Sequence, residues 1–363
     1  MCSGSARGLR WCLIKSEHMH TKDFHYHLPP NLIAQRPPRD RDGGRLMVLD
    51  RGSASGLTHK TITDLPDLLP EGCLLVVNDS RVIPARLAAR RSTGGKVEVF
   101  LLERLKNLPG GQQTWRCMLR ASKRLRRGEA LELLAPDGEP APLPPMVLQD
   151  QPRSGRASIL LPLASEILAM GSIPLPPYIT READDQDTER YQTVYAEHEG
   201  SVAAPTAGLH FTPAILEALE SRGVQVARVT LHVGPGTFSP VRTARLEDHK
   251  MESEAYEVPQ ETAAAVARAK AQGRPVVAVG TTVVRTLETS KAQAGPGRSE
   301  LFIYPGHAFQ VVDGLLTNFH LPGSTLIMLV AALTSRDRVL AAYREAVQCH
   351  YRFYSYGDAM LIV

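Results

Sequence analysis

Pro275-Val-Val-Ala-Val-Gly-Thr-Thr-Val-Val-Arg-Thr-Leu-Glu288 reads as a strand that runs through a glycine into a helix. Val276 to Val279 form a short apolar run without alternation, the pattern of a strand covered on both faces. The same order recurs upstream. Thr212-Pro213 is an N-cap with proline at the first helical position, and the helix over 214–222 stops at Gly223. Residues 224–231 read as a strand, 261–272 as an alanine-rich helix ending at Gly273, and 336–349 as a further helix. Strand and helix in alternation predict an α/β main domain on a largely parallel sheet.

Working outward, Leu28 to Gln35 reads as a short helix that starts with proline, and 45–50 as a strand whose natural place is in that late sheet. From about 73 to 161 the pattern is one of short strands, at 73–78, 96–102, 114–119, 129–134 and 157–161. Turn residues such as Gly94-Gly95, Pro109-Gly110-Gly111 and Asp137-Gly138 separate them. Such spacing predicts a small all-β unit, a sandwich or a barrel, inserted into the α/β domain. The expected division is a discontinuous α/β catalytic domain over 19–79 plus 161–363, with the all-β insertion over 80–160. Residues 1–18 show no periodicity and are expected to be an unstructured N-terminal extension.

With 363 residues, 43% of them hydrophobic and 22% charged, the chain fits one large or two ordinary globular domains. Its longest apolar run near the C-terminus, Leu326 to Leu333, is far short of the roughly 20 residues of a membrane span. No membrane partner and a cytoplasmic location are therefore expected. The five cysteines are scattered, with no Cys-x-x-Cys pair, which suits reduced thiols. His18/His20 and His25/His27 are the only His-x-His pairs; they read as surface histidines, and no metal is expected. The net charge is +4, but residues 81–127 hold thirteen Lys and Arg against only Glu98 and Glu103, a local +11. A basic segment on an otherwise acidic chain points to a polyanion partner.

The sequence lacks G-x-x-x-x-G-K-[ST], a complete G-x-G-x-x-G, His-Glu-x-x-His and G-x-S-x-G. Those absences disfavour P-loop ATPases, nicotinamide enzymes, zinc proteases and α/β-hydrolases. Four polar loops remain, each placed at a strand–helix boundary: Ala204–Thr212, Leu231–Phe238, Gly280–Arg285 and Thr317–Thr325. In open α/β sheets ligands bind beyond the carboxyl ends of strands, so these loops are expected to share one pocket. Thr206, Gly208 and His210 are expected at the positive end of the 213–222 helix.

Seven segments together carry a resemblance. They are Asn78-Asp-Ser-Arg-Val-Ile-Pro-Ala-Arg86, Arg190-Tyr-Gln-Thr-Val-Tyr-Ala196, Ala204 to Thr212, His232-Val-Gly-Pro-Gly-Thr-Phe238, Val279 to Arg285, Asn318 to Thr325 and Tyr351 to Ile362. In this order they resemble the S-adenosylmethionine:tRNA ribosyltransferase-isomerase family of queuosine biosynthesis, over about 19–363. The pattern departs at Glu252, where the family usually has a histidine. The resemblance implies an α/β domain with an inserted six-stranded barrel. It also implies transfer and isomerisation of the ribosyl part of S-adenosylmethionine onto 7-aminomethyl-7-deazaguanine at the wobble position of tRNA, giving epoxyqueuosine-tRNA, adenine and methionine. S-adenosylmethionine is then a consumed substrate rather than a cofactor, tRNA is the macromolecular partner, and a monomer is expected.

That reaction needs a base for a ribose proton acidified by the sulfonium, a proton donor for adenine, and polar groups that fix two ligands. His210 and His232 are the expected proton-transfer histidines, without a choice between them as base, and Glu288 or Asp358 would orient a histidine or the amine. Thr206, Gly208, Gly280, Thr281, Thr282, Arg285, His320, Asp79 and Arg81 are the expected substrate contacts. Arg86, Arg90, Arg91, Lys123, Arg124, Arg126 and Arg127 are the expected tRNA contacts. Two rivals differ in kind. A methyltransferase would carry an E/D-x-G-x-G-x-G loop, which is absent; a non-catalytic RNA-binding barrel would leave the polar loops without a purpose.

Overall fold

The computed structural model describes residues 19–53, 56–234, 236 and 241–363. The expected extension over 1–18, with His18, and the Thr237-Phe238 end of one loop lie outside the described residues.

The Val276–Val279 strand sits near the middle of a nine-stranded sheet. In spatial order its strands are β15 (Gly295–Ser299), β13 (Glu254–Val258), β12 (Gln225–Leu231), β3 (Leu74–Asn78), β14 (Val276–Val279), β16 (Gly314–Asn318), β17 (Ala359–Ile362), β1 (Arg45–Leu49) and β2 (Leu57–Thr61). The β12-β3-β14-β16 centre is parallel, but β15, β13, β17 and β2 each pair antiparallel with a neighbour, so the sheet is mixed rather than largely parallel. As expected, β1 lies in this sheet, beside β17.

The central strands show why an unbroken apolar run is required. Leu74 and Val76 enter one core and Leu75 and Val77 the other; Val276/Ala278 and Val277/Val279 divide in the same way. Residues 73–78 therefore belong to the main sheet and not to the run of barrel strands that follows them. Thr212 Oγ1 accepts from Ile215 N to cap the Pro213–Ser221 helix, and Gly223, at φ +75°, ends it. The helix expected over 28–35 is only a 3₁₀ turn, Pro30–Leu32. Pro29 and Pro30 have no N–H to donate, and Ile33 instead bridges to Phe353.

A closed six-stranded barrel runs in the order β10 (Arg156–Leu161), β7 (Gln113–Ala121), β6 (Lys96–Asn107), β5 (Arg86–Arg91), β8 (Ala130–Leu133) and β9 (Met146–Leu148). Its strands alternate, with Leu87, Ala89, Val97, Val99, Leu131 and Leu133 inside. A two-stranded piece, β4 (Ser80–Val82) with β11 (His198–Ser201), lies next to the chain's entry into the barrel. No described helix is long and apolar enough to cross a membrane.

Candidate active site

Because β12, β3, β14 and β16 run parallel, their carboxyl ends point the same way. They deliver His232, Asp79, Gly280 and Asn318 to one edge. There a cavity opens, with Thr206, Gly280, Thr281, Thr282, Asn318 and His320 in its wall. Five of the expected substrate contacts are thus brought together.

The Thr281–Ser290 helix starts at this wall. Its N-cap is Gly280, at φ +90°, where an L side chain is strained, and no side chain caps it. The first-turn N–H groups face the cavity with the positive end of the helix dipole, a place for a carboxylate. The helix end expected to do this, at 213, is instead closed by Thr212, and Thr206–His210 form a 3₁₀ turn ahead of it.

The sequence reading missed Tyr178, Tyr354 and the role of Asn318. Tyr178 and Tyr354 line the cavity with ring centroids 4.2 Å apart, an apolar wall that suits a purine. Tyr354 is held at φ +71°, a left-handed conformation that costs of order 1–3 kcal/mol for a residue with a side chain. Asn318 Nδ2 donates to Tyr354 O at 3.1 Å and to His210 Nε2 at 3.3 Å. Its Oδ1 is buried in the cavity wall with no partner among the described residues. Asn318 stood in one of the motifs; the tyrosines lie 176 positions apart, and no spacing rule joins them.

Both buried histidines here are neutral at pH 7. Burial pushes His210 down to about 4 and His320 down to about 3. His320 lines the cavity, with Nε2 paired to Thr317 Oγ1 at 2.9 Å. His210 does not line it: its ring borders a small recess with Pro38 and Tyr356 and reaches the cavity only through Asn318. The two shifts predict acid sensitivity. In the unfolded chain both rings return to about 6.5 and bind protons first, so stability is full above that pH and falls as pH drops toward 4. Unfolding midpoints in urea are expected to decline from pH 7 to pH 5, approaching an uptake of two protons; a flat midpoint across that range would contradict the buried, neutral placement.

Several expected site residues are placed elsewhere. Glu288 is buried and accepts from the backbone N–H groups of Gln310, Val311 and Val312 at 2.9–3.0 Å, so it holds a loop instead of a ligand. Arg285 is buried in an ion pair with Glu254 and donates to Leu301 O and Ser299 O. Gly208 is buried where an added Cβ would stand 2.2 Å from Tyr195 Oη; it serves packing. Asp358 accepts from the backbone N–H of Arg45 and Arg352. Asp79 is buried and accepts from Thr230 Oγ1 at 2.7 Å; burial raises its carboxyl despite that bond. Arg81 is exposed and donates to Ala196 O.

His232 faces away from the first cavity, into a cleft between the sheet and the barrel. Backbone alternation explains this: Val233 lines the first cavity, while His232 and Gly234 line the cleft. One pocket was expected, and two lie on either side of this short segment. Burial, with Arg104 and His198 nearby, lowers the His232 imidazole below its usual range.

The expected RNA contacts fall into two groups. Arg86, Arg90 and Arg91 on β5 are met by Glu98, Glu132 and Glu129 at 2.7, 3.1 and 2.5 Å. Lys123, Arg124, Arg126 and Arg127 are exposed on the β7–β8 loop, with no ion pair among the described residues.

Comparison with known proteins agrees with this architecture. A family model described as "Queuosine biosynthesis protein" matches residues 21–362. The S-adenosylmethionine:tRNA ribosyltransferase-isomerase of Anaeromyxobacter sp. is 53% identical over 353 residues, covering 95% of this chain and 99% of that protein. The enzyme of the same description from Trichlorobacter lovleyi is 49% identical over 95% of this chain and all of its own length. A crystal structure of an S-adenosylmethionine tRNA ribosyltransferase from Thermotoga maritima is 37% identical, covers 94% of this chain and all of its own, and superposes with a TM-score of 0.53.

Proposed function

Because this chain belongs to the S-adenosylmethionine:tRNA ribosyltransferase-isomerase family of queuosine biosynthesis, we propose that its two cavities divide one reaction between them. The enzyme transfers and isomerises the ribosyl moiety of S-adenosylmethionine onto 7-aminomethyl-7-deazaguanine at the tRNA wobble position, releasing adenine and methionine. The first cavity takes S-adenosylmethionine. The observation that carries this assignment is the Asn318 amide: it is clamped on its nitrogen side, and its oxygen is left for a ligand N–H. In this reading the start of the Thr281–Ser290 helix receives the methionine carboxylate, and the Tyr178/Tyr354 wall receives adenine.

The sulfonium acidifies the neighbouring C5′ protons. Neutral His320, in the wall of the cavity, is assigned to take one and to return it to the departing adenine, and methionine then leaves as the neutral thioether with the electron pair of the C–S bond. The incoming amine attacks only when neutral, and neutral His232 on the cleft side is assigned to accept its proton. His210 acts through Asn318 as a positioning residue. Residues 19–79 with 161–363 form the catalytic unit in this scheme, and 80–160 the RNA-facing one. Soluble tRNA and S-adenosylmethionine as substrates put the reaction in the cytoplasm.

Mass analysis of tRNA bearing the aminomethyl base, after incubation with protein and S-adenosylmethionine, is expected to find conversion with one adenine released per base. S-adenosylhomocysteine without adenine would mark a methyltransferase. Tight tRNA binding without any consumption of S-adenosylmethionine would mark a binding module.

On the RNA side, the unpaired loop cations carry the larger field, and each phosphate contact contributes about 0.7–0.9 to the log–log salt slope. The double change Arg126→Ala with Arg127→Ala is expected to flatten that slope by about one to two units, with S-adenosylmethionine binding unchanged. Parent affinity and slope in this variant would make the loop a solvated face.

A further inference from the structure

The cleft between barrel and sheet has a charge pattern that the sulfonium cavity does not share. Most of its ionic groups are paired with one another. Arg156 meets Glu252 at 2.5 Å; Glu103 meets Arg298 at 2.6 Å and Arg116 at 3.4 Å; Glu254 accepts from Gly234 N and pairs with Arg285. Two charges are left over, one of each sign. Arg104 on the barrel side and Glu199 on the sheet side are exposed, line the cleft, and have no ion pair among the described residues. The His232 ring lines the same cleft, and its Nδ1 is buried with no partner among the described residues. Gly200, at φ +144°, gives the ring its room: a Cβ there would lie 2.8 Å from the imidazole.

A pocket whose own charges cancel except for one cation and one anion fits a ligand that is anionic at one end and cationic at the other. Resting on the S-adenosylmethionine assignment of the first cavity, we propose that this cleft receives the aminomethyl-bearing nucleotide turned out of its RNA, with Arg104 on a flanking phosphate and Glu199 on the ammonium. A guanidinium forms charge-assisted hydrogen bonds to phosphate oxygens, and a carboxylate does the same for an ammonium. Val233 lines the sulfonium cavity while its chain neighbours His232 and Gly234 line the cleft, so the two sites meet at this segment.

The fold also orients the RNA. Strand β6 pairs Val97 with Ala121 near one end and, six residues further on beside the cleft, Glu103 with Arg116, and the Lys123–Arg127 loop follows Ala121. At about 3.3 Å per residue, roughly 20 Å of strand separates the cleft from that loop. A stem-loop whose tip nucleotide enters the cleft lies along the barrel and meets the loop cations with its stem phosphates.

The test uses the full-length protein and two synthetic anticodon stem-loops that differ only in carrying guanine or the aminomethyl base, without S-adenosylmethionine. Arg104→Ala is expected to weaken both about tenfold and to lower the salt slope by about one. Glu199→Gln is expected to weaken the aminomethyl stem-loop alone, about tenfold, abolishing the parent's preference for it. If Arg104→Ala keeps the parent slope and Glu199→Gln keeps the preference, the cleft is not the nucleotide site. Both residues are exposed, and folding is checked by S-adenosylmethionine binding, which stays at the parent value. A parent protein that shows the preference but never releases adenine would overturn the reaction assignment and leave the cleft assignment standing.

Discussion

Asn318→Ala is expected to lower kcat/KM about 10²-fold and to weaken S-adenosylmethionine binding by a comparable factor. Asn318 ends β16, and its Nδ2 is fixed by Tyr354 O and His210 Nε2, so the oxygen cannot turn away from the cavity. A ligand N–H on that oxygen replaces an acceptor that otherwise stays buried and unpaired, at a cost of about 1–3 kcal/mol. Alanine also leaves His210 Nε2 and the left-handed Tyr354 carbonyl without their donor. At about 1.4 kcal/mol per tenfold, the sum corresponds to roughly two decades. Titration calorimetry with S-adenosylmethionine and steady-state kinetics read the two effects separately. A fall of less than threefold in both would remove Asn318 from the site. His210→Ala acts on the same contact at one remove and is expected to cost less than Asn318→Ala; a larger loss would return His210 to a direct proton-transfer role.

Glu254→Ala is expected to destabilise the fold by about 3–5 kcal/mol. The change strands the Arg285 guanidinium, which is 3% exposed, and removes the acceptor of Gly234 N–H. Arg285 sits one turn into the helix that opens at Gly280, and Glu254 starts β13 beside the cleft, so the pair ties the walls of both cavities together. The double variant Glu254→Leu with Arg285→Met is expected to regain most of the lost stability, because apolar side chains of similar size carry no desolvation cost. Urea unfolding midpoints of the single and double variants decide the matter. A single variant within 1 kcal/mol of the parent would show that water or other groups serve Arg285 in its place.

The legible part of the molecule was the part governed by local rules. The Val276–Val279 run, the Thr212 cap and the stop at Gly223 each have a short-range cause, and each was readable from a dozen residues. An all-β insertion was readable from short strands set apart by turn residues, although 73–78 belongs to the sheet; that spacing left sandwich and barrel open, because barrel closure depends on strands distant in the chain. Motif loops put Gly280, Thr281, Thr282, Thr206 and His320 at the same edge, since parallel strands deliver their carboxyl ends together.

What no short-range rule supplies is which polar side chain meets which partner. Glu288 looked like a catalytic carboxylate, but three loop amides from residues 310–312 close on it. Arg285 looked like a ligand contact, but Glu254, 31 positions away, neutralises it in the core, where neither charge tolerates being alone. The facing of His232 depends on a single step of backbone alternation after β12, and the pairing of Tyr178 with Tyr354 on the closure of the chain's C-terminal end against its middle. The sequence by itself determined the strands, the helix ends, the inserted all-β unit and the set of polar loops, because those follow from strand spacing, caps and glycine positions. Tertiary structure alone decided that there are two cavities instead of one, and which charges stay unspent within them, because burial and pairing are set by groups distant in the chain.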